Sequence, residues 1–380
     1  MHNILLFGGG LQVLAIARGL KECGYIVDVL GTHNEISKRC RYVRRCIQID
    51  IDNISVNDFV KIINDEMYSV IIPTEDEYSS WLSINKSKVE QLTKSKCAIA
   101  DYSIYEIASD KSRLLQFCKE NNFPHPKTAI IDSNLAEAAE YVGFPALIKP
   151  NYSAGSRGIK RVNNINELIE LSKGIIDEYG ECSLQEFITN DHYYNVMLYR
   201  TNDGRWGNHV ITKITRYYPI NGGSSSFCTT INNDKLLSIC KEILDKLGWV
   251  GFADFDVLEK NTGDFRIIEI NPRVPASVRA AAISGVNFGE MIVSDILKNQ
   301  LPTYQYTTNK QLRYLGLDLA WFISSPNRFK CKPSWFKFFG TDLYYQEGGY
   351  KDIWAMLTSL YIGIKKFLSP TFRKAKAGMN

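Results

Sequence analysis

Residues 252–257 read FADFDV, and residues 265–273 read FRIIEINPR. The segment between them contains Asn-Thr-Gly-Asp at 261–264, which is typical of a turn. Because side chains alternate between the two faces of a strand, Ile268 and Ile270 are expected to point together into a core. The pattern predicts a β-hairpin with one apolar face and one polar face.

The polar face of this hairpin predicts a metal site. A turn centred on residues 262–263 places Asp256 directly opposite Glu269, with Asp254 and Asn271 on the same face. Two facing carboxylates repel each other, and a divalent cation removes that repulsion. Oxygen ligands without His or Cys suit Mg²⁺ or Mn²⁺. A solvated polar face is the alternative, but it does not explain why the strand ends in Asn-Pro-Arg.

Four features of other kinds precede the hairpin in the sequence. They are Lys111 at the start of a predicted helix, Lys149 at the end of a predicted strand, a small-residue loop at 153–159, and Gln-Glu-Phe-Ile at 185–188. Each alone has an ordinary explanation as a surface lysine, a turn or an edge strand. Their order relative to the hairpin is the informative observation.

In this order, and with Glu-x-Asn-Pro-Arg at 269–273, the features resemble the ATP-grasp superfamily. The nearest members are the carbamoyl-phosphate-synthase-like proteins and the carboxylate–amine ligases, and the resemblance covers roughly residues 1–325. It implies an α/β, Rossmann-like N-terminal domain followed by an ATP-grasp fold of two α+β subdomains. Strands that alternate with helices in the first hundred residues independently predict a parallel sheet.

The predicted domains follow from this resemblance and from the composition. Residues 1–105 are expected to form the Rossmann-like domain and residues 106–330 the ATP-grasp domain. The latter divides into a small subdomain at 106–185 and a large one at 186–330. Residues 331–380 form a C-terminal extension with an amphipathic helix.

The resemblance implies a role for each matching residue. Lys111 and Lys149 would contact the nucleotide phosphates, and Arg273 would stabilise the charged intermediate. The small-residue loop would close over the phosphates, the segment after the strand would bind adenine, and the hairpin would hold the metal. The residues implied for the loop are Gly155, Ser156 and Gly158. Those implied for adenine are Glu186, Phe187 and Ile188, and those implied for the metal are Asp256, Glu269 and Asn271.

The ribose contact departs from the family pattern. The family usually has a Glu shortly after the adenine-binding segment, where this sequence has His192. Asp191 is the substitute predicted for it.

Substrate residues are predicted from position alone. Lys213 and Arg216 precede a Gly-Gly-Ser-Ser-Ser loop containing Ser224, and the pattern fits either a site facing the acyl phosphate or a solvated basic hairpin. Glu75 and Asp76 follow a strand end, where open parallel sheets bind ligands. They are expected either to recognise the amine substrate or to lie at a helix start that Thr74 and Glu77 cap.

The implied activity is that of an ATP-dependent ligase. A carboxylate would be activated as an acyl phosphate with ATP and two Mg²⁺ or Mn²⁺ ions, and an amine would then form an amide or peptide bond. The first alternative is a nucleotide-binding regulatory protein without catalysis. The second is an NAD(P)-binding oxidoreductase, which Gly8-Gly9-Gly10 favours only weakly because the GxGxxG pattern and a ribose-binding acid are absent.

Composition limits the partners and the compartment. The chain has 380 residues, a net charge of +4 and nine scattered cysteines without a CxxC pair. This balance argues against nucleic-acid binding, and the cysteines suit a cytoplasmic protein with reduced thiols. Small-molecule carboxylates and amines are the expected partners.

The C-terminal extension raises two further hypotheses. Apolar residues recur at helical spacing from Ile353, and basic residues follow to Lys376 without an acidic residue after Asp352. Such a helix either lies on an anionic membrane surface through residues 353–376 or packs on the protein itself. A second subunit is a further candidate partner, which makes a homodimer the other hypothesis.

Overall fold

A computed structural model describes most of the chain. It covers residues 2–33, 35–131, 134–151, 158–189, 192–220, 223–348 and 352–368, with the side chains of the last three excepted. Within these ranges, three structural units follow one another along the sequence.

The N-terminal unit is an open parallel sheet flanked by helices. Its elements are β1 (Asn3–Phe7), α1 (Gln12–Glu22), β2 (Ile26–Gly31), β3 (Arg45–Gln48), α2 (Val56–Glu66), β4 (Tyr68–Pro73), α3 (Asp76–Leu92), β5 (Lys96–Cys97) and α4 (Tyr102–Ser109). The strand order is β3-β2-β1-β4-β5, and every pair is parallel. The side chains of Ile4 to Phe7 are fully buried because helices cover both faces of the sheet.

The glycine turn after β1 is filled by the protein itself. Gly9 donates its N–H to Glu75 Oε2 at 2.8 Å, and a Cβ on Gly8 would lie 2.6 Å from Thr74 Oγ1. The Thr74 hydroxyl donates to the carbonyls of Phe7 and Gly9 and makes no cap on α3. The predicted Thr74–Glu77 cap is therefore wrong, because Thr74 joins β4 to the turn instead.

The small subdomain is a four-stranded antiparallel sheet covered by helices. Its elements are α5 (Lys111–Glu120), β6 (Thr128–Ile130), α6 (Leu135–Val142), β7 (Ala146–Pro150), β8 (Lys160–Val162), α7 (Ile165–Tyr179) and β9 (Cys182–Glu186), with strand order β6-β9-β7-β8. Asp110 caps α5 by accepting from the N–H groups of Ser112 and Arg113. This cap fixes Lys111 at the first helical position, where the sequence predicted it.

The large subdomain is built on a seven-stranded sheet. Its elements are β10 (His192–Arg200), β11 (Val210–Tyr218), β12 (Ser224–Ile231), α8 (Asp234–Leu247), β13 (Gly251–Glu259), β14 (Phe265–Asn271), α9 (Arg279–Ile283), α10 (Phe288–Lys298), β15 (Gln311–Arg313), α11 (Leu315–Ser324) and β16 (Leu343–Tyr345). The strand order is β14-β13-β10-β11-β12-β15-β16. Because β16 belongs to this sheet, the large subdomain continues past the boundary predicted at residue 330.

The predicted hairpin is the β13–β14 pair. Asp256 lies directly opposite Glu269, as predicted from the turn. Between Val257 and the turn, the strand pairing is shifted by one residue from the predicted register. A β-bulge next to Asp256 accounts for this shift. Ile267 and Ile270 belong to the buried core, and Ile270 also borders a cavity, whereas Ile268 lines that cavity without joining the core because the bulge interrupts the alternation of faces.

The last helix, α12 (Ile353–Leu368), packs on α11 and on a short 3₁₀ segment at Ser37–Arg39. It buries Ala355 and Ser359 against the body of the protein. One face of α12 therefore packs on the protein, which was one of the two alternatives for this helix.

The described residues contain no single helix long and apolar enough to cross a bilayer. The helices Ala276–Ile283 and Phe288–Lys298 reach that length only when counted together across an 89° bend.

Candidate active site

A cavity of about 840 Å³ lies where the three units meet. Asp76 comes from α3, Lys149 from the small subdomain and Glu269 from the large one. Most of the residues predicted from the sequence line this cavity, namely Asp76, Lys111, Lys149, Glu186, Phe187, Ile188, Ser224, Asp256, Glu269, Asn271 and Arg273.

The acidic wall of the cavity consists of two facing pairs on β13 and β14. Asp254 pairs with Asn271, and Asp256 pairs with Glu269. Burial, together with the neighbouring carboxylates, raises the pKa of Asp254 and of Asp256 well above the ordinary value. Burial alone would also raise the pKa of Glu269, but nearby cations, Lys111 foremost, hold it below the ordinary value. Because ionising all of these buried carboxylates together is unfavourable, the wall favours a bound cation that would offset their charge.

Two lysines face this wall from the small subdomain. Lys111 Nζ lies 3.4 Å from Glu269 Oε2. Lys149 donates to Gln185 Oε1, and burial, followed by the charge of Lys111, lowers the pKa of Lys149 to about 8. Glu269 and Asp256 oppose that shift. Both ammonium groups are thus placed where anionic phosphates would meet them.

Arg273 joins the large subdomain to the N-terminal unit. Its Nε and Nη2 donate to the two carboxylate oxygens of Asp76 at 2.6 and 3.1 Å. Such a bidentate pair fixes the plane of the guanidinium. The two residues, predicted to serve the intermediate and the amine separately, are therefore direct partners.

The predicted adenine-binding segment follows β9 along one side of the cavity. The N–H of Glu186 donates to the Lys127 carbonyl at 2.8 Å, and that of Phe187 donates to the Pro145 carbonyl at 3.2 Å. These two N–H groups are used within the protein, so adenine recognition here would rest on other groups of the segment. The guanidinium of Arg161 lies 4.3 Å from the centre of the Phe187 ring.

Lys213 is not brought to the cavity. It pairs with Tyr194 across β10 and β11, whereas the neighbouring residues Tyr193 and Asn195 line the cavity. Because alternate residues of a strand face opposite ways, Lys213 lies on the reverse face of the sheet. The structure therefore does not support the catalytic role predicted for Lys213.

Arg216 is also held away from the cavity. Its Nε and Nη2 donate to the carboxylate of Asp318 on α11 at 2.6 and 3.0 Å, and both side chains are fully buried. The guanidinium serves as a core partner of α11 rather than as a group facing substrate. For this reason, the structure does not support the catalytic role predicted for Arg216.

Other predicted residues lie beside the cavity or outside the described chain. Glu75 is bonded to the glycine turn and is not among the described lining residues. Gly155, Ser156 and Asp191 lie outside the described residues. Gly158 has a φ of +74° and packs on Pro150 and Tyr179.

The cavity also contains polar residues that the sequence analysis did not select. Asp254 was recognised on the polar face of the hairpin but was not included among the metal ligands. Tyr193, Asn195, Glu77 and Gln346 are further examples. Strand alternation was the available signal for Asp254, while Asn195 and Gln346 reach the site through pairings distant in sequence.

The donor set fits a magnesium or manganese ion in its chemistry. Oxygen atoms of Asp254, Asp256, Glu269 and Asn271 face the same space, and Asp254 Oδ1 is buried without a hydrogen-bond partner among the described residues. No group of three or more described His, Cys, Asp or Glu side chains is arranged to hold an ion by itself. Magnesium is commonly held by one or two carboxylates and completed by phosphates and water.

Comparison with known proteins agrees with this geometry. Residues 108–277 match the family model described as the ATP-grasp domain. This chain has an ATP-grasp domain. The superfamily and the α/β and α+β fold class predicted from the sequence are thus confirmed.

Two ligases resemble this chain over half of its length or more. A D-aspartate ligase of Enterococcus faecium is 23% identical over 329 residues, which cover 78% of this chain and 77% of the ligase. A D-alanine–D-alanine ligase B of Pseudomonas putida is 22% identical over 204 residues, which cover 50% of this chain and 63% of that protein. The second match therefore spans less than two thirds of the relative.

Solved structures share the fold. N5-carboxyaminoimidazole synthetase from Staphylococcus aureus, complexed with ADP, has a TM-score of 0.69 at 16% identity and covers 87% of this chain and 86% of that one. Biotin carboxylase from Campylobacter jejuni, in a β,γ-ATP complex, has a TM-score of 0.68 at 16% identity, covering 81% and 74%. At these identities the likeness concerns the fold alone.

Proposed function

We propose that this protein is an ATP-dependent carboxylate–amine ligase, which forms an amide or peptide bond and releases ADP and phosphate. The observation that carries the proposal is the meeting of two lysines, four oxygen-bearing side chains and Arg273 in one cavity within an ATP-grasp chain. Both relatives described above are ligases by name.

The first step forms an acyl phosphate. A substrate carboxylate oxygen attacks the γ-phosphorus of ATP, the bond to the bridging oxygen breaks, and ADP leaves with that electron pair. Lys111 and Lys149 would hold the phosphates in place, because both side chains line the cavity beside the carboxylates of the acidic wall. The contribution of the protein is positioning and charge stabilisation.

The second step forms the amide. The amine nitrogen attacks the acyl carbon, phosphate leaves with the electrons of the C–O bond, and the nitrogen loses a proton. Arg273 would stabilise the charge that develops on the acyl oxygens. Asp76 fixes the orientation of Arg273, and neighbouring Glu77 lines the cavity on the same side.

The metal belongs to the same proposal. Asp256, Glu269 and Asn271, with Asp254 beside them, would hold one or two Mg²⁺ or Mn²⁺ ions. When bound, these ions would neutralise the phosphate oxygens. Lys111 and Lys149 would add further positive charge beside the same phosphate oxygens.

We infer that the carboxylate is an amino acid or a similar small acid. The match to D-aspartate ligase, which covers 78% of this chain, supports this class. The amine would approach from the N-terminal side, where Asp76 and Glu77 provide carboxylates. The small-molecule partners are part of this proposal, and a homodimer and a cytoplasmic location stay predictions.

The direct test is ADP release measured over pairs of small carboxylates and amines in the presence of Mg²⁺. The proposal expects a pair for which ADP formation depends on both substrates. Tight ATP binding without ADP release for every pair would favour the regulatory alternative. The oxidoreductase alternative has no support in the glycine turn, which Thr74 and Glu75 fill.

A further inference from the structure

Large apolar side chains are exposed together on α11 and on the segment after it. The exposed fractions are 52% for Ile323, 73% for Phe329, 58% for Phe336 and 90% for Phe339. Surface apolar residues that occur singly need no explanation, but a contiguous group indicates an interaction site.

Ring contacts show that this group is contiguous. The ring centre of Phe322 on α11 lies 5.6 Å from that of Phe329 and 5.8 Å from that of Phe336. Phe329 and Phe336 stack with centres 6.3 Å apart. The three rings tie the segment 328–339 to α11, so Phe322, Phe329 and Phe336 form one contiguous surface.

Helix α12 packs beside the first turn of α11. Its backbone approaches α11 closely, since a Cβ on Gly316 would lie 3.8 Å from the Cα of Gly363. Ala355 and Ser359 face the body of the protein, whereas Trp354 and Tyr361 are exposed by 68% and 66%. We call residues 319–339, which comprise the second half of α11 and its following segment, the aromatic-basic surface.

The charges on this surface have one sign. Residues 319–341 contain Arg328, Lys330, Lys332 and Lys337 and no Asp or Glu. The side chains of Lys330, Lys332 and Lys337 are exposed beside the phenylalanines.

The combination of exposed aromatic rings and positive charge indicates which kind of partner binds this surface. A twofold-symmetric contact with a second copy would bring the same lysines against each other. An anionic bilayer supplies the opposite charge, and exposed Phe side chains can bury their apolar area at the boundary between headgroups and acyl chains. We propose that the aromatic-basic surface binds the headgroup region of anionic lipid bilayers without spanning them. This goes beyond the ligase activity, because the surface lies outside the cavity residues.

The test is flotation of the full chain with vesicles of phosphatidylglycerol and phosphatidylcholine, compared with vesicles of phosphatidylcholine alone. Binding to the anionic vesicles should be about tenfold stronger and should weaken with salt. Phe329→Ser with Phe336→Ser, and separately Lys330→Glu with Lys332→Glu, should each lower it about tenfold. ATP binding should be unchanged in both double variants.

Matched controls use exposed apolar residues elsewhere. Met67 and Ile169 are exposed by 79% and 56% outside this surface, so Met67→Ser with Ile169→Ser should leave vesicle binding unaltered. Absence of binding to anionic vesicles would overturn the proposal. So would a dimer in sedimentation velocity that Phe329→Ser with Phe336→Ser dissociates, since the surface would then belong to a second copy.

Discussion

At the scale of single residues, the acidic wall shows how burial and charge oppose each other. Asp256 and Glu269 face each other directly, and their pKa values move in opposite directions because the cations stand nearer to Glu269. Type and spacing made these residues predictable from the sequence. Asn195, which donates to Asp256 Oδ1, was not predictable because β10 is distant in sequence.

Replacing Glu269 tests the metal assignment. Glu269→Gln keeps the shape of the side chain but removes its charge, so ADP formation should fall by about 100-fold or more with the fold intact. Steady-state ADP release and a thermal unfolding curve would measure both. Asp264→Asn, in the hairpin turn outside the cavity lining, is the control and should remain active. An active Glu269→Gln variant would reject the assignment.

Lys149 should make nucleotide binding depend on pH. Its pKa of about 8 in the free protein means that it is protonated below pH 8 and loses its charge above it. Bound phosphates favour the charged form, so ADP affinity should be flat near pH 7 and fall by up to about tenfold per pH unit above 8. Calorimetry between pH 7 and 9.5 would measure this.

Two variants define the origin of that dependence. Lys149→Arg keeps its charge throughout this range, so its ADP affinity should lose the fall above pH 8. Lys149→Ala should bind ADP weakly at every pH. An identical fall in wild type and Lys149→Arg would assign the titration to another group.

Lys213 provides the opposite test. Because it lies on the reverse face of the sheet, Lys213→Ala should keep the kcat and KM of ADP formation within about twofold. A large loss of kcat in a folded variant would return Lys213 to the catalytic set and contradict the register of β10 and β11.

At the scale of elements, sequence periodicity predicted the hairpin but not its irregularity. The bulge at Asp256 turns Ile268 toward the cavity, and nothing in the local sequence marks it. Arg216 shows the same limit. Its partner Asp318 is 102 residues away, so a buried ion pair looked like an exposed basic hairpin.

This ion pair should matter for stability. Arg216 and Arg313 both contact the carboxylate of Asp318, and all three side chains are fully buried. Asp318→Asn leaves two guanidinium groups without their counter-charge, so the free energy of unfolding should fall by about 3 kcal/mol or more. Urea denaturation would measure it, with Asp342→Asn at an exposed pair as the control. Equal stabilities would show that the carboxylate is dispensable.

At the scale of the whole molecule, the site exists only where three units meet. The sequence could predict the order of the units, because the alternation of strands and helices and the glycine, lysine and acidic motifs are local. It could not predict that Arg273 binds Asp76 across units, or that Gln346 from beyond residue 330 reaches the cavity. Those contacts depend on packing between distant segments.

The central claim is that a substrate carboxylate becomes an acyl phosphate in this cavity. Its most direct test is the fate of ¹⁸O in the carboxylate, using an amino acid and an amine that support ADP release. The account predicts ADP as the nucleotide product and one ¹⁸O atom in each released phosphate. Phosphate without ¹⁸O, or AMP with pyrophosphate, would contradict it.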